Sequence, residues 1–344
     1  MNRGILCFAL LLLLCSGCSD RAVRSLDSGP FDTLEADTLE ADVWPAWPAE
    51  SPRGKVDVAV VLPAGSSVAE DRGFLLDVFD RLTERLLRPW DRAPVPDFRV
   101  GFLSPYVARD ITCSDDLPTW GQRFLMPASV DESAIPKGVV WPPKDNLVHV
   151  VGGLSESAYA LWSYWGRIPY SDWCEFNEHL EVVDRALDGR NPGFPRADAL
   201  LVILVGGERD DCSIADVTKW QPSPYLLTQN CYRPAPGFLR SPEALVRAIA
   251  ARHAGPVLLS VLGDCSEPTF GVDGDQSVDC VRRSDGDCDS GCILPTPRLC
   301  AFAASFDRWR PNMKSLFGEM CRIHRDENAT AKALAELIFD AVEP

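Results

Sequence analysis

"KVDVAVVLPAGSSVAEDRG", Lys55 to Gly73, decides the fold. Its first half, Val56 to Leu62, is rich in β-branched residues and almost wholly apolar, the composition of a strand buried on both faces of a parallel sheet. Its second half passes through small residues into a helical pattern. Phe74, Leu75, Val78, Phe79, Leu82 and Leu86 fall on one stripe. Strand, loop and helix in this order open a βα unit, and the loop lies beyond the carboxyl end of the strand, where open α/β sheets bind ligands.

The alternation continues downstream. Arg99–Ser104, Leu147–Val151, Ala199–Val205 and Val257–Leu262 read as further strands. Leu180, Val183 and Leu187 mark a helix face, as do Leu245 with Ile249, and Leu334 with Leu337 and Ile338. This pattern predicts an α/β fold with a doubly wound, mostly parallel sheet flanked by helices and joined by right-handed crossovers.

Upstream, residues 1–17 read as a signal peptide: Arg3, an apolar run from Ile5 to Leu14, and then Cys15-Ser16-Gly17. About ten apolar residues fall short of the roughly 20 needed for a membrane-crossing helix. Ser16-Gly17-Cys18 resembles the bacterial lipobox, which implies that Cys18 carries lipid and anchors the protein to a membrane. Cys15 stands where the lipobox has Leu, so a plainly secreted product is the other reading. Ser19 in place of Asp after the cysteine implies the outer membrane of a Gram-negative cell envelope.

Residues 18–54 are acidic and contain Pro45, Pro48 and Pro52, and they repeat "DTLEA" at Asp32 and Asp37. Self-repelling charge and proline make this an extended linker. The competing reading is a short partner-binding strip formed by Leu34, Leu39, Val43, Trp44 and Trp47. The net charge of −16 argues against nucleic acid as a partner. A hydrophobic share of 46% supports a sizeable core, and residues 55–344 are expected to form one domain.

Of the 13 cysteines, Cys7 and Cys15 leave with the leader and Cys18 carries lipid, so ten stay in the exported chain. An even number in that setting predicts disulfides. Zinc is disfavoured because Cys288-x-x-x-Cys292 has no second close pair of matching spacing.

Taken together, the Lys55 strand and loop, "CEFNEHLEVVDRAL" (Cys174–Leu187), "ALLVILVGGERDDCS" (Ala199–Ser213) and "FGEMCRIHRDENATAKALAELI" (Phe317–Ile338) resemble the von Willebrand factor A-like domain of bacterial lipoproteins. The resemblance covers about residues 55 to 342 and frays in a Cys/Asp-rich insertion at about 265–300. In that family the first strand is followed by Asp-x-Ser-x-Ser and the fourth by Thr-Asp-Glu-Asp-Asp-Cys-Ser. Such loops often form a metal-ion-dependent adhesion site that holds Mg²⁺.

On this resemblance Pro63 stands at the Asp position and Gly65 at the first Ser position, and only Ser67 keeps its oxygen. Ahead of Asp210, Gly207 stands for Thr, Glu208 for Asp and Arg209 for Glu. Mg²⁺ demands near-octahedral oxygen ligands and a guanidinium repels it, so the adhesion site is expected to be degenerate, with no metal at this position. Arg209 is expected in the space of the ion, pairing with Asp210 or Glu70. The plain reading of Ser66 and Ser67 is a helix cap, with Glu70 completing a capping box. The resemblance also suggests the disulfides Cys113–Cys174 and Cys212–Cys231, while the other six cysteines allow about 15 connectivities.

Asp285, Asp287 and Asp289 have the spacing by which calcium loops present oxygens, but no glutamate closes the loop, and a hydrated acidic loop is the alternative. No G-x-S-x-G elbow exists for nucleophilic catalysis. His149, in an apolar strand, reads as structural, and His179, beside Glu178 and Glu181, reads as solvated. Trp120, Trp141, Trp162, Trp165, Trp173 and Trp220 supply either core or an exposed binding surface. The expected protein is a non-catalytic envelope lipoprotein that binds a protein or surface glycan without Mg²⁺. A Ca²⁺- or Mg²⁺-dependent adhesin is the alternative, and an envelope enzyme the second.

Overall fold

The run that begins at Lys55 is the strand around which the sheet is built. The computed structural model describes residues 54–62, 68–87, 96–105, 139–144, 147–150, 177–207, 209–220, 228–265, 295–319 and 327–342. All of these lie in the unit Ala46–Pro344, and the separate unit Met1–Pro45 is outside the described residues. The strands are β1 (Lys55–Val61), β2 (Asp97–Leu103), β3 (Val139–Lys144), β4 (Leu147–Val150), β5 (Leu200–Gly206), β6 (Val257–Gly263) and β7 (Met313–Glu319). They form one seven-stranded sheet in the order β3-β4-β2-β1-β5-β6-β7.

The five strands from β2 to β7 in that order are parallel, with Val58 in register with both Val100 and Val202. The antiparallel pair β3–β4 extends the β2 edge. From β1 the chain builds outward to β2 on one side and later to β5, β6 and β7 on the other. The strand order therefore reverses between β1 and β5, and open α/β sheets bind ligands beyond the carboxyl ends of strands at such a switch point.

The pleat divides the side chains between two cores. Ala59 and Val61 join Leu201, Ile203 and Val205, beneath Leu180 of helix α2 (His179–Arg185), Ile249 of α3 (Pro242–Arg252) and Phe302 of α4 (Pro297–Trp309). On β2, Phe98 and Phe102 meet Phe79 of α1 (Val68–Leu87) at centroid distances of 6.4 and 5.6 Å. Helix α1 packs beside α5 (Glu327–Val342). Each fully buried Val, Leu or Phe stabilises this arrangement by about 1.5–3 kcal/mol. Helix α4 begins inside the stretch assigned to the insertion, and Phe317-Gly318-Glu319 belong to strand β7.

One charge sits in the middle of the sheet. Asp57 of β1 is fully buried, and its carboxylate accepts from Arg99 Nε (3.0 Å) and Nη2 (2.7 Å), the Arg196 backbone N–H (2.6 Å) and Arg196 Nε (2.9 Å). Arg99 also donates to the carbonyl of Gly193 (2.7 Å), and Arg196 to that of Asp97 (2.8 Å). Two guanidiniums thus neutralise the carboxylate and clamp the turn before β5 to the amino end of the sheet.

Candidate functional site

The site suggested by topology lies where the chain leaves β1 and β5. Pro63, Gly65 and Ser67 in the first loop and Glu208 in the second are outside the described residues; Gly207, Arg209 and Asp210 are within them. The Gly207 N–H donates to the Leu262 carbonyl at 2.7 Å, which prolongs the β5–β6 ladder by one residue. A Cβ at Gly207 lies 2.5 Å from Leu299 Cδ1, so α4 occupies the space that a threonine side chain needs there. Arg209 is half-exposed.

Asp210 is buried, and its oxygens accept from the backbone N–H groups of Arg298 (3.0 and 3.1 Å) and Leu299 (3.2 Å). These are the donors that a helix starting at Pro297 leaves unpaired, and Thr296 supplies no side-chain cap. Asp210 therefore caps α4. The expected Asp210–Arg209 pair is not formed, because the helix terminus takes the carboxylate.

Asp211 does the same for a second helix. Its Oδ1 accepts from the Leu180 N–H (3.0 Å) and from Ser213 Oγ (2.7 Å), and Ser213 Oγ accepts from the Glu181 N–H (2.9 Å). Glu178 Oε2 accepts from the Ile214 N–H (3.1 Å). Arg298 Nε donates to the Asp211 carbonyl (2.8 Å) and its Nη2 to the Arg240 carbonyl (2.7 Å). Thus the "DDCS" part of the motif is an anchor holding α2 and α4 to one loop.

The surrounding charges are matched. Arg240 pairs with Glu181 and with Asp184 (2.9 Å), and Arg185 pairs with Glu181 (2.8 Å). Burial pushes Glu181 up, but Arg185 and Arg240 outweigh it and hold the carboxyl below its usual range. Asp210 is raised to about 7, by burial first, with Asp211 adding to it and Arg298 opposing. The Tyr232 hydroxyl accepts from the Asp210 N–H (3.4 Å), donates to the Pro295 carbonyl (2.8 Å), and is pushed up by burial and by Asp210.

His179 departs from expectation. It is fully buried, as is Glu178, and Glu181 is nearly so. Burial drives the ring down to about 4 against the opposing effects of Asp211 and Gly206, and neither ring nitrogen makes a well-formed hydrogen bond. The acidic neighbours in sequence suggested solvent, but their charges are spent on Arg185, Arg240 and backbone N–H groups. His149 lies in β4 opposite Arg99 of β2.

Among the described residues, two disulfides brace this end of the sheet. Cys212–Cys231 ties the loop after β5 to the turn Thr228–Tyr232, and Cys265–Cys300 ties the end of β6 to the first turn of α4. Trp220 packs on Cys212 and Cys231 and lies 6.3 Å from the Phe238 ring, so it belongs to a small core and not to an open aromatic surface. Cys18, Cys113, Cys174, Asp285, Asp287 and Asp289, and the side chains of Trp120, Trp141, Trp162, Trp165 and Trp173, are outside the described residues.

At the described positions of the adhesion-site loop, Gly207 has no side-chain oxygen, Arg209 brings positive charge, and both Asp210 oxygens accept from backbone N–H groups. Among the described residues, no group of three or more His, Cys, Asp or Glu side chains is placed to hold a metal ion. The residues that organise this end of the molecule include Arg298 and Tyr232, which the sequence reading missed. Pro297, a favoured first residue of a helix, was the available signal for Arg298.

No family model matches the chain, and no curated protein matches it. Among solved structures it is similar to the human COPII-coat protein Sec24c, with 12% identity, covering 90% of this chain and 34% of that one. This chain thus spans about a third of that structure's length. The TM-score is 0.33, and a likeness at that level carries no argument here.

Proposed function

We propose that the protein is an exported lipoprotein of a bacterial cell envelope, anchored through Cys18. In this reading its von Willebrand factor A-like domain binds a protein or surface glycan, without catalysis and without Mg²⁺, at the carboxyl end of the sheet. The observation that carries the reading is the engagement of Asp210. The carboxylate at the would-be metal loop is buried and spent on the N-terminus of α4. With Gly207 closed off by Leu299, this loop is built for rigidity and shape, not for exchanging ligands on a cation. The two disulfides support the same conclusion, since braced loops lose less entropy on binding a partner.

The test is a melting experiment on purified protein with millimolar Mg²⁺ or Mn²⁺, followed by EDTA. The expected result is no metal-dependent change in Tm. An upward shift that EDTA reverses overturns the metal-independent reading.

A further inference from the structure

A second surface lies at the opposite end of the sheet. Helix α3 ends at Arg252 just before β6, and α4 ends at Trp309 just before β7, so their ends flank the amino termini of those strands. Between them runs an open trough of about 550 Å³, lined by Ala244, Ala248 and Ala251 of α3 and by Arg247, Trp309 and Arg310. Trp309 is 42% exposed, one of two large apolar side chains so exposed among the described residues. The Arg247 guanidinium lies over its ring at 5.9 Å.

Several guanidiniums elsewhere in the described domain are matched. Arg99, Arg185, Arg196, Arg240 and Arg252 each pair with a carboxylate. Among the described residues no carboxylate pairs with Arg247 or Arg310. Arg310 donates only to the His253 carbonyl and Met313 sulfur, and burial alone depresses its guanidinium. The nearby Asp307 is committed to Ser315. In a chain of net charge −16, two guanidiniums without a carboxylate partner lie beside an exposed indole, and the carboxylates nearest them in sequence are Glu243, one turn before Arg247 on α3, and Asp307. Such a site attracts carboxylates and suppresses cationic partners.

We propose that this trough docks an acidic peptide segment of a partner protein, which seats an apolar side chain against Trp309 and Ala248 and offers carboxylates to Arg247 and Arg310. Sugar hydroxyls need several donors and acceptors, whereas the floor of the trough is methyl groups. An apolar residue flanked by carboxylates matches both the floor and the rim. Exposed Trp and Arg are also the side chains that concentrate binding energy at protein interfaces. The surface is separate from the carboxyl end of the sheet, and either assignment can fail alone.

The experiment selects a phage-displayed library of random twelve-residue peptides on the full protein. The most enriched sequence is then synthesised and titrated by fluorescence anisotropy. Enriched peptides are expected to cluster Asp or Glu around an apolar residue. Trp309→Ala and Arg247→Glu, both on the surface and checked for unchanged melting, are each expected to weaken binding at least about tenfold. Arg81→Glu on α1 is expected to leave it unchanged, and replacing the peptide's acids by amides to abolish it. The proposal is overturned by a selection without enrichment, by enriched peptides lacking acids, or by binding indifferent to both trough variants. Saturable binding of oligogalacturonate at the same residues, with no acidic peptide bound, overturns it as well.

Discussion

Asp210 and His179 are buried at the same end of the sheet and titrate in opposite directions. Asp210 sits at about 7 when folded, against an ordinary 3.8. Between those values the folded chain keeps a proton that the unfolded chain has lost, so the stability from this group is present at low pH and lost as pH rises through about 7. His179 sits at about 4, against 6.5. Its contribution is present above 6.5 and lost as pH falls through about 4. The two slopes oppose each other in the shared window, roughly pH 4 to 6.5. Relative to wild type, Asp210→Asn is expected to lose stability on acidification across that window, and His179→Leu to gain it, each by at most about 1.4 kcal/mol per pH unit. Thermal melts at half-unit pH steps check this; three parallel curves would show that neither group titrates in that window. The sequence did not disclose this pairing of effects, because the residues that bury His179 and fix Asp210 lie on other elements. Arg298 is 88 residues from Asp210.

Elements were legible where burial is two-sided. β5 is a continuous apolar run, and β1 and β6 are nearly so apart from Asp57 and Ser260, because helices cover both faces of the sheet and such a strand has almost no polar side to obscure it. β3 escaped because it carries Pro142 and Pro143, which are tolerated only at an edge, and β3 is the edge. β7, "MKSLFGE", mixes Lys, Ser and Gly into the other edge strand, so its apolar pattern is too weak to mark a strand. Helix α4 was hidden by the Cys- and Asp-rich stretch before it, although Pro297 announces its start. Its Leu299 Cδ1 lies 2.5 Å from where a Cβ on Gly207 would stand, so a threonine there requires Leu299 to shift. Gly207→Thr is expected to destabilise the domain by about 1–3 kcal/mol through overpacking, measured by urea unfolding, and to confer no Mg²⁺ affinity by calorimetry. A variant of wild-type stability would show that α4 yields at this contact.

At the scale of the molecule, a mostly parallel sheet has its carboxyl end held, among the described residues, by two covalent bridges. Cys212–Cys231 closes a loop of 19 residues and Cys265–Cys300 one of 35. Replacing either pair by serines is expected to cost about 2–4 kcal/mol, with the longer loop costing more by about 0.5 kcal/mol. Denaturant unfolding of the two double variants checks both the size and the order; equal stability of wild type and variants would show that the bridges are dispensable.

The clamp on Asp57 governs how the polypeptide can be made. The partners of that carboxylate arrive 42 and 139 residues later, as Arg99 and Arg196. A ribosome-bound fragment that stops short of Arg196 must place a poorly compensated anion in its central strand or leave that strand unassembled. Such a fragment has Arg99 alone to compensate the charge, so the central strand gains its full set of partners only once Arg196 has been added.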